Sequence, residues 1–313
     1  MIQVLGAVPN FSEGRDVAKV RALVDVISRH DVQVLDWSAD ADHHRSVITF
    51  IGAPADVEAA AVAAAAHATR HIDLREHRGV HPRVGALDVL PFVPLHGLSM
   101  DDAVASAHRA GNAIAELGVP VFFYGLASDP PGRGLAELRR GGFEAFIEGW
   151  PADRRPDLPI GAPGPHPSAG VTCVGARPVL LAWNVFVSGV DLEAARRIAS
   201  RIRERDGGFS GLRALGLRLE GSDRVQISMN LEDPERTSPL AVFDRIESEV
   251  AAVGGKIVET EVIGMMPDTL VLPDSADRLM LPDLGPARVL SHRVAEYVAA
   301  LGGGRTEISD ITE

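Results

Sequence analysis

Apolar residues in this chain run twice through one order of periodicities, and that duplication restricts the fold more than any other feature. Ile2–Val8 is an apolar run ended by Pro9-Asn10 and reads as a strand. From Arg15 to Arg29, Val17, Val20, Val24 and Ile27 fall at helical spacing. Val32–Trp37 and Ser46–Ile51 are rich in branched residues and read as strands either side of a polar Asp/His loop. Pro54 suits a helix start, the alanine-rich run behind it continues to about His71, and Leu87–Val93 closes the unit as a strand. The second half repeats this order. Val179–Val187 reads as a strand and Leu192–Arg203 as a helix. Arg213–Leu219 and Arg224–Leu231 are strands either side of Gly221-Ser222. Pro239–Val253 is a helix and Lys256–Ile263 a final strand. Two β-α-β-β-α-β units predict an α+β fold of two ferredoxin-like lobes, each an antiparallel sheet with helices on one face. The expected division is 1–177 and 178–313, with a helix (Met100–Leu117), a strand (Val119–Tyr124) and the Pro/Gly-dense segment Pro151–Gly170 between the repeats.

Charge and cysteine content narrow the partners. Lys and Arg total 31 against 43 Asp and Glu, a net −12, the opposite of what sequence-independent binding to phosphate backbones requires. Nucleic acid is therefore not expected. The one cysteine, Cys173, excludes an intrachain disulfide and a thiolate-only metal cage, and fits a reducing compartment. The N-terminus lacks a basic leader and Pro9 cuts its apolar run short. Val57–Ala68, the most apolar stretch, carries Glu58 and His67 and is too short to span a bilayer. These features predict a cytoplasmic protein with no membrane partner.

Histidine is concentrated early: nine of 11 precede Gly111. Two clusters stand out, Asp42-His43-His44-Arg45 and His77-Arg78-Gly79-Val80-His81-Pro82-Arg83. His77 and His81 are four apart, but Gly79 and Pro82 argue against the helix that would set both on one face, so no metal is expected. The first cluster joins two predicted strands and the second precedes one, so both can overlook the same sheet. Histidine moves protons near neutrality and arginine holds carboxylates in a forked contact, a combination suited to transfer chemistry on an anionic substrate. Asn10–Gly14, after the first strand, reads as a turn with a helix cap. The Pro151–Gly170 segment reads either as a linker or as a binding loop.

Several stretches together resemble the glutamate formimidoyltransferase family in its stand-alone, bacterial-like form: VPNFSEGR at Val8–Arg15, HHRSVITFIG at His43–Gly52 and HRGVHPRVGALDVLPFVPL at His77–Leu95. VPVFFYG, VGARPVLLAWNV and VQISMNLED carry the likeness through both lobes to about Pro267. The resemblance implies transfer of a formimino group between N5 of tetrahydrofolate and the amino group of L-glutamate, in histidine breakdown, by a homodimer. Tetrahydrofolate is then a cosubstrate. The family's catalytic histidine matches His81. Its folate-binding segment matches Gly161, Ala162, Pro163, Gly164, Pro165, His166, Pro167, Ser168, Ala169 and Gly170, which favours the binding-loop reading. Arg45, Arg83 and Arg177 are candidates to hold carboxylates, and Asp36, Asp40 and Asp42 to face the cationic amidine.

This chain departs from the family pattern at three places. Ser38 stands where an acidic residue is common, Leu126 replaces a glutamate after the YG pair, and Ala169 takes the place of a tryptophan in the folate loop. The loop is expected to close over folate between the lobes, and Ala169 to stack on the ring less well than tryptophan would. Two other activities fit the same residues: transfer of a formyl group from 5-formyltetrahydrofolate to glutamate, and folate binding without turnover.

Overall fold

The computed structural model describes residues 2–219, 224–271 and 274–303. The first lobe opens with β1 (Val4–Ala7) and β2 (Asn10–Phe11), two parts of one line of chain interrupted at Pro9, which has no N–H to donate. Helix α1 (Val17–Ile27) follows; Asp16 caps it by accepting from the amides of Ala18 and Lys19. Then come β3 (Val32–Asp40), β4 (Arg45–Gly52), α2 (Pro54–His71) and β5 (Leu87–His96). β1 pairs antiparallel with β4 and β5, and β3 pairs with β4, so the line of β1 is central.

The sheet does not stop at the predicted four strands. After α3 (Met100–Glu116), β6 (Val121–Gly125) and, beyond the short α4 (Leu135–Leu138), β7 (Thr172–Ala176) join the free edge of β5. Both pairings are parallel, β5 with β7 and β7 with β6, so this seven-stranded sheet is mixed rather than purely antiparallel. Crossover through α3 supplies the length a parallel return needs. Leu5, Phe50, Leu90 and Phe92 point to α1–α3 and form the main core with the buried alanines of α2.

The second lobe contains β8 (Leu181–Ser188), α5 (Leu192–Ile202), β9 (Leu212–Arg218), β10 (Val225–Leu231), α6 (Pro239–Ala252) and β11 (Lys256–Ile263). Its sheet order, β11-β8-β10-β9, is antiparallel throughout, as the repeat predicts, and matches the β5-β1-β4-β3 order of the first lobe. Residues 220–223, which include the expected Gly221-Ser222 turn, lie outside the described residues, as do 304–313. Trp183, Val185, Ile227 and Met229 enter the core under α5 and α6, where Trp183 stacks on Phe243 at 5.9 Å. Strand alternation sends Asn184, Gln226 and Ser228 to the opposite face. That face meets the first lobe. After α7 (Ser275–Arg278), helix α8 (Leu290–Gly303) returns to the first sheet, where Leu290, Val294 and Tyr297 cluster with Val4 and Ile51.

Candidate active site

The two histidine clusters meet because their backbones are in contact. The turn between β3 and β4 presents His43 and His44, the latter at φ 49°. The loop after α2 lies on it: the amide of Val80 donates to the carbonyl of Asp42 at 3.2 Å. A Cβ on Gly79 would stand 2.3 Å from the His43 carbonyl oxygen, so only glycine permits this approach. His77, 4% exposed, stacks on His44 at 4.3 Å and donates from Nε2 to the His44 carbonyl at 2.8 Å. Burial pushes the His77 pKa down to about 4, with the His44 carbonyl opposing.

His44 is tied in turn to Glu13, its Nε2 lying 3.1 Å from Oε1. The same oxygen accepts from the amides of Gly14, Arg15 and Asp16 at 3.0–3.1 Å. Burial works against the charge of Glu13, but the Asp16 and Arg15 amides hold its carboxyl below the usual range. The segment read as a simple turn is thus a support for the histidine cluster.

His81 lies within the field of a buried carboxylate. Asp88 is fully buried and accepts from Arg45 at 2.7 Å, from Arg139 at 2.5 Å and from the amide of Val84 at 2.8 Å. Burial opposes its charge, yet Arg139 and Arg45 keep the carboxyl well below the ordinary range. Arg45 also donates to Asn10 Oδ1 at 2.8 and 3.2 Å, and burial brings its pKa down to about 10. His81 Nδ1 lies 2.7 Å from the Pro82 carbonyl oxygen. A carbonyl only accepts, so Nδ1 carries the hydrogen and Nε2 keeps its lone pair in the neutral ring. Burial, then the positive fields of Arg45 and Arg139, hold the His81 pKa well below the ordinary histidine value, with Asp88 opposing.

Other sequence-predicted residues are distributed around this centre. Of the three candidate arginines, Arg45 stands beside His81. Arg83 is held by Glu144 in a bidentate pair at 2.7 and 2.6 Å. Arg177 lies at the end of β7, donating to the Pro178 carbonyl at 2.9 Å, and its pKa is lowered by burial while Tyr124 opposes. Asp36 is 3.7 Å from Arg288 of the second lobe, and Asp40 binds His43 at 3.0 Å. A concavity of about 710 Å³ runs along the same loop, lined by His77, Arg78, Val80 and Arg83 with Leu74 and Phe143, but not by His81. Its volume is that of a small-molecule site. Among the described residues no group of three or more His, Cys, Asp or Glu could hold a metal ion.

The loop Gly161–Gly170 is stitched to the first lobe. His166 and Gly170 exchange backbone hydrogen bonds at 2.9 Å. Ser168 accepts from Leu74, and Ala169 from Ala86, which brings the loop against the chain leaving the His81 motif. Gly170, at φ +69°, has the Val84 oxygen 2.2 Å from where a Cβ would be. Ala169 is 1% exposed and part of the main core. Its side chain points into packed protein, where a larger group has to displace its neighbours.

Asp88, Arg139 and Gln226 complete the setting without having been candidate site residues, and Asn10, read as part of a turn, joins them by accepting from Arg45. Asp88 falls inside the HPRVGALDV string, a usable signal. Gln226 falls inside the VQISMNLED string, while Arg139 lies outside the quoted stretches and carried no signal.

Residues 4–177 match the formiminotransferase domain, N-terminal subdomain, and residues 182–281 match the formiminotransferase domain. A glutamate formimidoyltransferase of Streptococcus pyogenes serotype M1 is 38% identical over 271 residues, covering 85% of this chain and 90% of that protein. One from Thermoplasma acidophilum is 36% identical, covering 94% and 98%. The formimidoyltransferase-cyclodeaminase of Rattus norvegicus is 37% identical over 88% of this chain, which spans 52% of that longer protein.

Proposed function

This chain belongs to the formiminotransferase family, and from that premise we propose that it moves a formimino group between N5 of 5-formimidoyltetrahydrofolate and the amino nitrogen of L-glutamate. His81 carries the reading. A proton acceptor for this transfer must be neutral with a free lone pair, and the His81 ring has its one hydrogen committed to the Pro82 carbonyl. The cations beside it favour that neutral state.

The glutamate amine attacks the formimino carbon, forming a C–N bond and a tetrahedral centre. Its surplus proton passes to His81 Nε2. The imidazolium then returns that proton to N5 of the folate as the C–N5 bond breaks and its electron pair stays on nitrogen. Asp88 supplies the opposite charge near the transient imidazolium. General acid–base groups of this kind contribute typically about 10²–10⁴ in rate.

The same reading assigns Arg45, Arg83 and Arg177 to carboxylates of glutamate or of the folate tail; at Arg83 a ligand must displace Glu144. It assigns Gly161–Gly170 to folate through its backbone and its exposed prolines. It divides the chain at residue 177 and makes the protein a cytoplasmic homodimer. A product assay tests the activity: tetrahydrofolate release from the formimino donor must require glutamate. Turnover with the 5-formyl donor alone would replace the reading with formyl transfer.

A further inference from the structure

His43 is gripped on both ring nitrogens by residues from different lobes. Asp40, at the end of β3, accepts the His43 amide at 2.7 Å and lies 3.0 Å from Nδ1. Gln226 of β10 brings its amide nitrogen to 3.1 Å from Nε2. The donor at Gln226 requires the lone pair of His43 on Nε2, so the ring hydrogen sits on Nδ1 toward Asp40. His43 is 8% exposed and Gln226 fully buried, so their contact is shielded from competing water, while the Asp40 side chain is 41% exposed.

What makes the grip consequential is the neighbour. The His43 ring is 6.2 Å, centroid to centroid, from that of His81. The loop carrying His81 rests on the turn carrying His43, through the Val80 to Asp42 hydrogen bond and the close approach at Gly79. Displacing His43 therefore displaces the seat of His81. Around the two rings stand Asp40 from β3, Arg45 from β4, Asp88 from β5, Arg139 following α4, and Gln226 from β10.

We infer that His43 is a positioning residue for His81 and that Gln226, by holding His43 from the second lobe, makes alignment of the base depend on how the two lobes are seated. The inference rests on His81 as the base. A misplacement of about 1 Å at a reacting group can cost on the order of a hundredfold in rate, so the effect belongs in kcat rather than in KM.

The test uses Gln226→Met, which keeps the side-chain length and removes the donor. Steady-state kinetics on both substrates is combined with long-range ¹H–¹⁵N spectra of the histidine rings, assigned with His43→Asn and His81→Ala. The expected result for Gln226→Met is a fall in kcat of roughly ten- to a hundredfold with KM values within about threefold. The His43 and His81 ring signals move together. A folded Gln226→Met with kcat within about twofold of wild type overturns the inference, as does a shift at His43 that leaves His81 unmoved. If Gln226→Met does not fold, His43→Asn decides by the same kinetics and the same His81 signal. Retained turnover in His81→Ala would instead sink the assignment of the base itself, a separate failure.

Discussion

Replacing Asp88 with asparagine should destabilise the chain more than any other single change near the site. The carboxylate is fully buried and lies 2.7 and 2.5 Å from two guanidiniums, whose side chains are only 11% and 14% exposed. Asparagine preserves the shape and an oxygen for the Val84 amide, so that hydrogen bond, worth about 1 kcal/mol, need not be lost. What goes is the counter-charge. Arg45 and Arg139 are then two buried cations facing each other, and leaving a buried charge unpaired costs about 3–5 kcal/mol. At about 2–4 °C per kcal/mol, as found for somewhat smaller chains, Tm falls by roughly 6–20 °C. Differential scanning calorimetry and urea denaturation at pH 7 measure this directly.

The pH dependence supplies a second check. The folded pKa of Asp88 is depressed, so its stabilisation is fully present above the unfolded carboxylate value of about 3.9 and is lost as pH falls toward the folded value. The gap between wild type and Asp88→Asn should stay constant from about pH 5 to 8 and close only in stronger acid. A loss under about 1 kcal/mol at pH 7, or a gap that closes near neutrality, would refute the picture of one carboxylate balancing two buried cations.

His81→Ala should keep the wild-type circular dichroism and folate binding yet lose about 10²–10⁴ in kcat; near-normal turnover at saturation removes it from the mechanism. Because Arg139 helps depress the His81 pKa, Arg139→Met should move the acid limb of kcat/KM to higher pH, and an unmoved limb contradicts that field. Ala169→Trp should cost at least about 1–3 kcal/mol by overpacking and give no tighter folate binding in titration calorimetry; a gain in affinity would show that the side chain reaches ligand after all. His77 is held neutral with a folded pKa of about 4, so its contribution is present above pH 6.5 and disappears as pH falls toward 4. His77→Gln should flatten the stability profile across that interval, and an unchanged slope assigns the acid sensitivity elsewhere.

How much of this was legible beforehand follows from what a local pattern records. The spacing of Val17, Val20, Val24 and Ile27, and the alternation around Val185 and Ile227, state which face of each element is apolar; all but Val17, which is 44% exposed at the start of α1, are buried or packed toward the core. Two repeats of one order therefore determined two lobes with one strand order. The HPR string around His81 was legible too, because its glycine, proline and histidine act within a few residues of one another.

Partners far apart in sequence were decided by tertiary structure alone. Nothing near Arg139 indicates that it shares a carboxylate with Arg45, and nothing near Gln226 announces a contact with a histidine 183 positions earlier. The pattern marks β6 as a strand but β7 was not read as one, and the parallel pairing of β7 with β5, with β6 beyond it, was settled by the free edge of β5 and the crossover through α3. Ala169 reads as a small residue in an irregular loop, and only the docking of that loop on Leu74 and Ala86 turns it inward. Hydrophobic periodicity is a property of short segments, set by backbone geometry. The electrostatic centre at Asp88 and the grip on His43 arise from register and from the meeting of two lobes, where position along the chain no longer says what lies nearby.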